Sequence, residues 1–408
     1  MPTPLLWAGF IALILALLAL DLGVFHRKAH APTLAEALAW SGFWISLGLA
    51  FAGAVYFLYE NNWIGVGLAF PVDVSGADAS LAYVTGYILE KSLSLDNIFI
   101  IALIFSHFRI PLALQHRVLF WGVLGALVMR GAMIGAGAAL IERFTWMTYV
   151  FGGLLIFTAA RMLVAHHDTL EPDKSPVVRL ARRMFPVTDG LREGHFVVSE
   201  GGRRMITPLL VVLLMVEATD LLFAVDSVPA IFAITSDPFL IYTSNVFAIL
   251  GLRSLYFALA PLLSKFRFLK SSLVFVLAFV GVKMLLAHTE PISTPVSLSV
   301  ILGILGVGVL ASVAFPESGA RLDRSHLEVE LASLHVVTRG GAKRAVVLVL
   351  GGSLLVLGTF WLVLPGPGLL TVGVGLWLVG SQLVWARRLM RRVMGRKADV
   401  PDPPESAG

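Results

Sequence analysis

The sequence predicts an all-α fold: a polytopic helical membrane protein with inverted three-helix repeats. Three observations predict it. Hydrophobic residues make up 57% of the 408 positions and charged residues only 14%, whereas a soluble domain carries roughly 25% charged residues. Apolar runs of about 20 residues, the length that crosses a bilayer, recur along the chain. Two segments that carry acidic residues inside such runs resemble each other and form an internal repeat.

Eleven apolar runs are the predicted membrane spans. In chain order they lie at 5–24, 40–58, 80–105, 117–140, 146–164, 206–234, 239–261, 271–287, 297–315, 345–364 and 368–386. No basic residue precedes the first run, and Arg27 and Lys28 follow it, so we expect an uncleaved first helix rather than a signal peptide. The sequence has no cysteine, which excludes disulfides and thiolate metal sites.

Basic residues alternate between the connecting loops and predict the orientation in the membrane. The longest loop, 165–205, and the stretch after 386 are rich in Lys and Arg, whereas 59–79 and 288–296 contain none. Because short cytoplasmic loops carry the excess of Lys and Arg, we expect a cytoplasmic-membrane protein with its N-terminus outside and its C-terminus in the cytoplasm. The net charge of +5 is spread over these loops and predicts no nucleic-acid partner.

The spans group into two predicted domains. Residues 1–315 hold nine spans and are the predicted transport domain, and 316–343 is a polar stretch of mixed charge that we interpret as a cytoplasmic linker. Residues 344–392 form a two-span hairpin whose tip, Pro365–Gly368, has the composition of a tight turn. The final 393–408, with three prolines, is predicted to be disordered.

The internal repeat covers about 80–164 and 206–287. EKSLSLDNIFI (90–100) aligns with DLLFAVDSVPA (220–230). The alignment pairs Glu90 with Asp220, Asp96 with Asp226, Asn97 with Ser227, Arg130 with Arg253, and Arg161 with Lys283. The first helices of the two repeats, spans three and six, run in opposite directions in the predicted topology. An inverted repeat is typical of secondary transporters, in which the binding site lies near mid-membrane between the halves.

Acidic residues inside apolar runs indicate the candidate site. They are Glu90, Asp96, Glu217, Asp220 and Asp226. Each ionised carboxylate at a helix centre costs roughly 3 kcal/mol on insertion scales. Protonation, a basic partner or a bound cation could compensate this cost. The candidate charge partners are Arg130, Arg253, Arg161 and Lys283, so a static, charge-balanced bundle is an alternative reading.

The predicted ligands are all oxygen atoms. Asn97 and Ser227 join the five acids in the predicted metal site. Further candidate ligands of the metal are Asp21, Ser94, Thr219 and Asn245. Such a set suits Mn²⁺, Mg²⁺ or Ca²⁺ and disfavours Cu(I), while Zn²⁺ is less favoured because no His or Cys lies beside the acids. Pro229 predicts a broken or kinked sixth span with exposed carbonyls. We find no enzyme signature and predict neither a catalytic site nor a resident cofactor.

Several of these motifs carry a family resemblance. LDLGVFHRKAH (20–30), TGYILEKSLSLDN (85–97) and TPLLVVLLMVEATDLLFAVDSVPAIFAITSDPF (207–239) resemble the TerC/Alx family of integral membrane proteins, named for tellurium resistance. The resemblance implies the LysE-type transporter superfamily and, for several members, manganese export. The family's intramembrane acids match the five acids above, and Asp21 matches its first-helix acid. About 340–392 resembles the small PGPGW-type transmembrane domain, with Leu369 in place of the motif's Trp.

We therefore expect a membrane transporter that exports a hard divalent cation, Mn²⁺ first and Ca²⁺ second, through carboxylates between the repeats. Its expected partners are the metal ion, protons, the lipid bilayer and other membrane proteins. Two alternatives stay open. One is a non-transporting membrane scaffold for tellurite or stress resistance or membrane biogenesis, for which Asp→Asn at 96 and 226 would leave function intact. The other is a Ca²⁺/H⁺ antiporter.

Overall fold

The computed structural model describes most of the first 314 residues. The described residues are 4–23, 33–61, 74–164, 178–179, 183–188, 190–200, 203–260 and 267–314, with a few further positions between 347 and 378. The predicted linker, both spans of the predicted C-terminal hairpin except those few positions, and the predicted disordered tail lie outside the described residues.

Helices account for nearly all of the described structure. In chain order they are α1 (Pro4–Gly23), α2 (Leu34–Glu60), α3 (Gly76–His107), α4 (Leu112–Arg143), α5 (Met147–Val164), α6 (Pro208–Phe232), α7 (Pro238–Ile249), α8 (Leu252–Leu259), α9 (Arg267–Leu286) and α10 (Thr294–Ala314). The predicted all-α polytopic membrane fold is confirmed, because a helix lies at each of the first nine apolar runs. The long loop adds a feature that hydropathy did not predict: an antiparallel hairpin of β1 (Val197–Glu200) and β2 (Arg203–Ile206).

Helices α2, α4, α6 and α10 are long and apolar enough to cross a membrane, among the residues that the structure describes. The pair α7–α8, bent by 43°, makes a fifth candidate span. Helix α3 has 32 residues and is long enough to span. It is less apolar than those helices, because Asp78, Glu90, Lys91 and Asp96 lie within it.

The seventh predicted span is broken, and the sixth is not. Helix α6 continues through Pro229 to Phe232, so the sixth span is not broken at this proline, and a kink there stays a prediction. Pro229 lies in the last turn, so its missing N–H removes the hydrogen bond to a single carbonyl, that of Val225, and only three helical residues follow it. The break lies instead between α7 and α8, at Gly251.

Gly251 makes this break possible. Its φ is +80°, a left-handed conformation that costs little only for glycine. A Cβ built on Gly251 would lie 2.5 Å from the Cβ of Trp44, a buried residue of α2. The close approach of α2 to the bend therefore requires glycine at 251 on two grounds.

A second contact ties α2 to the start of α7. The Tyr59 hydroxyl donates a hydrogen bond to Oδ2 of buried Asp237, the N-cap of α7. Oδ1 of Asp237 accepts from the backbone N–H groups of Phe239 at 2.8 Å and Leu240 at 3.4 Å. Burial raises the pKa of Asp237 above its ordinary value, and these hydrogen bonds lower it by less.

The chain divides into two compact units, residues 1–154 with 166–261 and residues 155–165 with 262–408. In the first unit, α3 packs against α2, α6 and α7, and α4 packs against α6 and α7. Among α3, α4, α6 and α7, exchanging α3 with α6 and α4 with α7 leaves the set of packed pairs unchanged, because the pairs α3–α7 and α4–α6 replace each other. The contact between α2 and α3 lies outside this exchange. The packing has the symmetry that the aligned repeats predict. That the repeats are inverted stays a prediction. In the second unit, α9 packs against α10.

Candidate functional site

Arg130 lies at the centre of a polar cluster in the first unit. It comes from α4 and is buried, with 1% of its surface exposed. A fully buried guanidinium is costly unless charged and hydrogen-bonding partners surround it. The identity of those partners defines the candidate site.

Two carboxylates bind the Arg130 guanidinium from different helices. Nη1 pairs with Oε1 of Glu90 on α3. Nη2 lies 3.0 Å from Oδ1 of Asp220 on α6, and Nε lies 3.3 Å from Oδ2 of the same carboxylate. Asp220 is thus bound by two parallel hydrogen bonds, the geometry that fixes an arginine–carboxylate pair most firmly.

Neutral oxygens complete the shell around Nη1 of Arg130. The Asn245 side-chain carbonyl on α7 accepts a hydrogen bond at 2.9 Å, and the Ser227 hydroxyl on α6 accepts one at 3.3 Å. Asn97 on α3 adds a further link, because its Nδ2 donates to Oδ1 of Asp220 at 3.2 Å. One guanidinium therefore joins oxygens from α3, α6 and α7.

The sequence order explains why these side chains meet. Glu90 and Asn97 are seven residues apart on α3, and Asp220 and Ser227 are seven apart on α6, so each pair lies on one helix face. The two faces meet because α3 packs against α6. Arg130 then enters from α4, which packs against α6 and α7.

A cavity opens beside Asp220. Its atom-free space of about 370 Å³ includes open space outside the protein, and one wall is polar: Asn97, Thr219 and Asp220. The remaining walls are apolar and come from α3, α4, α6 and α8. The Thr219 hydroxyl donates to carbonyls of its own helix, at 2.9 Å to Met215 and 2.8 Å to Val216. Towards the cavity its oxygen can therefore act only as a hydrogen-bond acceptor or a ligand.

Glu217 lies one turn from Asp220 on α6 and is half-buried. Its carboxylate covers Gly125 of α4, where a Cβ would lie 2.0 Å from Oε1 of Glu217. No hydrogen bond or ion pair joins Glu217 to another residue in the part of the chain that the structure describes. Glu217 therefore lies on the same helix as Asp220 but outside the described contacts of Arg130.

The structure does not gather all five acids into one centre. Asp96 and Asp226 are half-buried, and neither takes part in the described contacts of Arg130. Among the described residues, no group of three or more His, Cys, Asp or Glu side chains is close enough to hold one metal ion. A cation at the cluster would therefore bind two carboxylates together with neutral oxygens.

The remaining predicted residues are distributed as follows. Ser94 is buried on α3, and Arg253 is buried on α8. Arg161 is exposed on α5, and Lys283 is buried on α9, both in the second unit. Asp21 belongs to α1, but its side chain lies outside the described residues.

Sequence reasoning missed two contributors on α3. Lys91 donates from Nζ to the Ala248 carbonyl on α7 at 3.0 Å, which takes it away from Glu90. Tyr87 is buried one turn before Glu90. The spacing of Tyr87, Glu90, Ser94 and Asn97, three then four then three residues, was a readable signal of a single polar face.

Comparison with known proteins places the chain. The sequence model described as "Integral membrane protein TerC family" matches residues 75–319, and the one described as "Putative transmembrane protein (PGPGW)" matches 344–396. No solved structure matches.

Three relatives illustrate the similarity. "Uncharacterized membrane protein STKORF319" of Myxococcus xanthus is 50% identical over 311 residues, 76% of this chain and 92% of the relative. "Putative membrane-bound redox modulator Alx" of Escherichia coli K12 is 46% identical over 304 residues, 74% of this chain and 92% of the relative. "Uncharacterized membrane protein" of Rickettsia bellii is 39% identical over 307 residues, 75% of this chain and 96% of the relative. With a family match over more than half its length and relatives this similar, the chain belongs to the TerC family of integral membrane proteins.

Proposed function

We propose that this chain is a cytoplasmic-membrane transporter that exports a hard divalent metal cation, with Mn²⁺ as its main substrate. The observation that carries the proposal is the convergence of Glu90, Asp220, Ser227 and Asn245 on one guanidinium. These oxygens come from three helices and lie next to a cavity. Carboxylate and neutral oxygens are the ligands that Mn²⁺ and Mg²⁺ prefer.

The charge balance of the cluster supports a visiting cation. Two carboxylates face one guanidinium, so the ionised cluster has one more negative charge than positive, and Glu217 adds another on the same helix. Excess negative charge in a low-dielectric interior attracts a cation strongly. A static bundle with balanced pairs would need a second base at this cluster.

Arg130 takes the role of a tethered cation in this mechanism. It binds the two carboxylates while the substrate is absent, which avoids the cost of burying them unpaired. A divalent ion entering from the cavity beside Asp220 would compete with the guanidinium for the same oxygens. The two aligned repeats would then move relative to each other, which would open the site to the opposite side of the membrane.

The name of the Escherichia coli relative suggests a redox role instead. This chain contains no cysteine, so its own side chains cannot perform thiol–disulfide exchange. A redox effect would then follow indirectly, from the metal content of the cell. Transport accounts for the buried acids, whereas a thiol-based redox role does not.

The test is metal flux in proteoliposomes that contain the full chain, with Mn²⁺, Ca²⁺ and Mg²⁺ assayed separately. Glu90→Gln and Asp220→Asn each remove one ionised ligand, so we expect flux at low metal concentration to fall about 10- to 100-fold. Asp78→Asn is the matched control, because Asp78 is an exposed acid in the first turn of α3. No Mn²⁺ flux through the wild-type chain would contradict the proposal and favour a scaffold, whereas flux of Ca²⁺ alone would favour an antiporter for calcium.

A further inference from the structure

The antiparallel hairpin of the long loop lies at the end of the first unit where α4 and α6 begin. The N–H of Thr207, the residue before α6, donates to the Phe196 carbonyl at 3.0 Å. The Arg117 guanidinium of α4 lies over the Phe196 ring, 5.3 Å from its centroid. A Cβ built on Gly194 would lie 2.7 Å from Cδ2 of Leu114 on α4. The base of the hairpin is therefore fixed against the starts of both helices.

A short segment adds to the other edge of β2. The Pro186 carbonyl accepts a hydrogen bond from the Ile206 N–H at 3.0 Å, and the Thr188 N–H donates to the Ile206 carbonyl at 2.9 Å. On the opposite edge, Val197 of β1 pairs with Ile206. Because neighbouring strands are about 4.8 Å apart, Val197 and Phe185, which precedes Pro186, lie on either side of the last residue of β2.

The side chains around this end of the hairpin are exposed, although three of them are large and apolar. The exposed fraction is 63% for Met184, 46% for Phe185 and 51% for Val197. Arg183, next to Met184 in the chain, and Arg204 of β2 are also exposed. In the register of the hairpin, Arg204 and Val197 lie on the same face. We call these five side chains the hairpin surface.

The hairpin surface lies at the level where α6 enters the membrane. Helix α6 is an apolar candidate span of 25 residues, roughly 37 Å long at 1.5 Å per residue. The hydrocarbon core of a bilayer is about 30 Å thick, so the ends of α6 reach the headgroup layer. Ile206 is two residues before Pro208, the first residue of α6, and lies within about 7 Å of it. Phe185 and Val197, on either side of Ile206, are therefore close to lipid.

We propose that the hairpin surface is a docking site for anionic phospholipids of the surrounding bilayer. Guanidinium groups such as those of Arg183 and Arg204 bind phosphate through two parallel hydrogen bonds. Apolar side chains beside them are stable at the boundary between headgroups and acyl chains. Basic groups at this boundary attract lipids with a net negative headgroup. The combination fits a phospholipid better than a soluble anion, which would leave the apolar side chains in water.

The known effect of loop arginines on helix orientation does not account for this surface. That effect requires positive charge alone. It predicts neither exposed apolar side chains beside the arginines nor a preference of the folded chain for one lipid. The docking site is also independent of the proposed function, because the bilayer surrounds the chain whether or not the chain moves a metal ion.

The first test measures lipid preference. The full-length chain in a neutral detergent is titrated separately with phosphatidylglycerol, phosphatidylcholine and inorganic phosphate, and its unfolding temperature is followed by tryptophan fluorescence. We expect phosphatidylglycerol to raise the unfolding temperature most, because a ligand of the folded state stabilises that state. One basic side chain near an anionic lipid surface contributes about fivefold in affinity. Arg183→Gln and Arg204→Gln should therefore each raise the half-maximal phosphatidylglycerol concentration about fivefold.

The matched control is Arg143→Gln. Arg143 is an exposed arginine at the last residue of α4, the end away from the hairpin, and we expect this variant to respond as the wild type does. Equal stabilisation by phosphatidylcholine or by inorganic phosphate would overturn the docking site. A wild-type response of both hairpin variants, or an equally weakened response of Arg143→Gln, would overturn it as well.

A second test measures contact with the bilayer. The chain has no cysteine, so Val197→Cys provides a single position for a fluorescent label. The labelled full-length chain is placed in vesicles with brominated acyl chains, made of phosphatidylcholine alone or of equal parts phosphatidylcholine and phosphatidylglycerol. We expect stronger quenching in the vesicles that contain phosphatidylglycerol, and Arg204→Gln should remove the difference. Equal quenching in the two kinds of vesicle would overturn the docking site.

Discussion

At the scale of single residues, Arg130 decides whether the two central acids are stable in the membrane. Its side chain binds Glu90 and Asp220 at once, and the Asn245 and Ser227 oxygens also accept hydrogen bonds from Nη1, whose two N–H groups the three acceptors share. Burying an ion pair contributes little net stability, but removing one partner leaves a buried charge without compensation. The cluster is therefore sensitive to charge balance more than to the presence of any one group.

Removing the guanidinium should expose this dependence. We expect Arg130→Gln to lower the free energy of unfolding by about 3–5 kcal/mol, because two buried carboxylates lose their partner. Adding Glu90→Gln to Arg130→Gln should recover part of the loss, since one uncompensated charge disappears. Thermal unfolding in detergent, followed by tryptophan fluorescence, measures both variants and each single change. A double variant as unstable as the sum of the two single variants would contradict a direct Arg130–Glu90 coupling.

Asp237 offers a second test at this scale, through pH. Burial raises its pKa in the folded state, so the folded chain binds this proton more readily than the unfolded chain does. Its contribution to stability must then fall as the pH rises from 3.8, the unfolded value, towards the folded pKa. Asn caps a helix about as well as Asp and does not ionise.

We therefore expect the unfolding temperature of Asp237→Asn, relative to wild type, to increase with pH across that range and then level off. Unfolding curves of both proteins at a series of pH values measure the difference. A difference that stays constant with pH would show that the hydrogen bonds from Tyr59 and the backbone cancel the effect of burial.

At the scale of elements, hydropathy predicted the helices, but it did not predict their breaks. Each of the first nine apolar runs contains a helix, since run length and composition depend only on local sequence. The position of the break did not follow from the strongest local signal, Pro229, because a proline in the last turn disrupts little. The break depends on Gly251 and on Trp44, which are 207 positions apart in the chain, so only the packed structure reveals it.

Glycine at the bend should be essential for packing. Gly251→Ala is expected to lower the free energy of unfolding by about 2–4 kcal/mol, from the positive φ and from the contact with Trp44. Gly53→Ala on α2 is the control, because nothing lies within 4 Å of its Cβ position. There the change should stabilise the chain by up to about 1 kcal/mol, since alanine favours the helix. Chemical unfolding of both variants measures these changes in the free energy of unfolding. Equal effects at the two positions would contradict this account of the bend.

The candidate site shows which of its residues the repeat alignment could predict and which it could not. The alignment identified Glu90, Asp220, Asn97 and Ser227 as equivalent pairs, and the structure brings these four together around Arg130 or Asp220. It did not separate them from Asp96 and Asp226, although a six-residue spacing turns those acids away from the shared face. Lys91 follows Glu90 directly in the sequence, but adjacent residues on a helix point about 100° apart, and Lys91 donates to a carbonyl of α7 instead.

At the scale of the whole molecule, the aligned repeats and the contacts among α3, α4, α6 and α7 have the same exchange symmetry. Helix α3 packs against α7 as α4 packs against α6, and Glu90 and Asp220 approach Arg130 from the two halves. Under the proposed function, the equivalent acids on the two halves would form a site that either half could uncover by moving. The direction of each helix across the bilayer, and with it the inversion of the repeats, remains a prediction from loop charge.

The C-terminal segment provides the last prediction. The TerC match ends at residue 319, and relatives are matched over 92% of their own length by about three quarters of this chain. The PGPGW match begins only at 344. The relatives thus contain little beyond the part that they share with about three quarters of this chain, and the cluster around Arg130 lies entirely within the first unit.

A chain shortened after Ala320 should therefore insert into the membrane and retain metal transport. We expect Mn²⁺ flux in proteoliposomes to stay within about twofold of the full chain, well below the tenfold change that the loss of one good interaction produces. Glu90→Gln in the shortened chain serves as the control for a working site and should abolish most of the flux. Loss of flux in a shortened chain that is correctly inserted and as thermally stable as the full chain would show that the C-terminal segment takes part in transport.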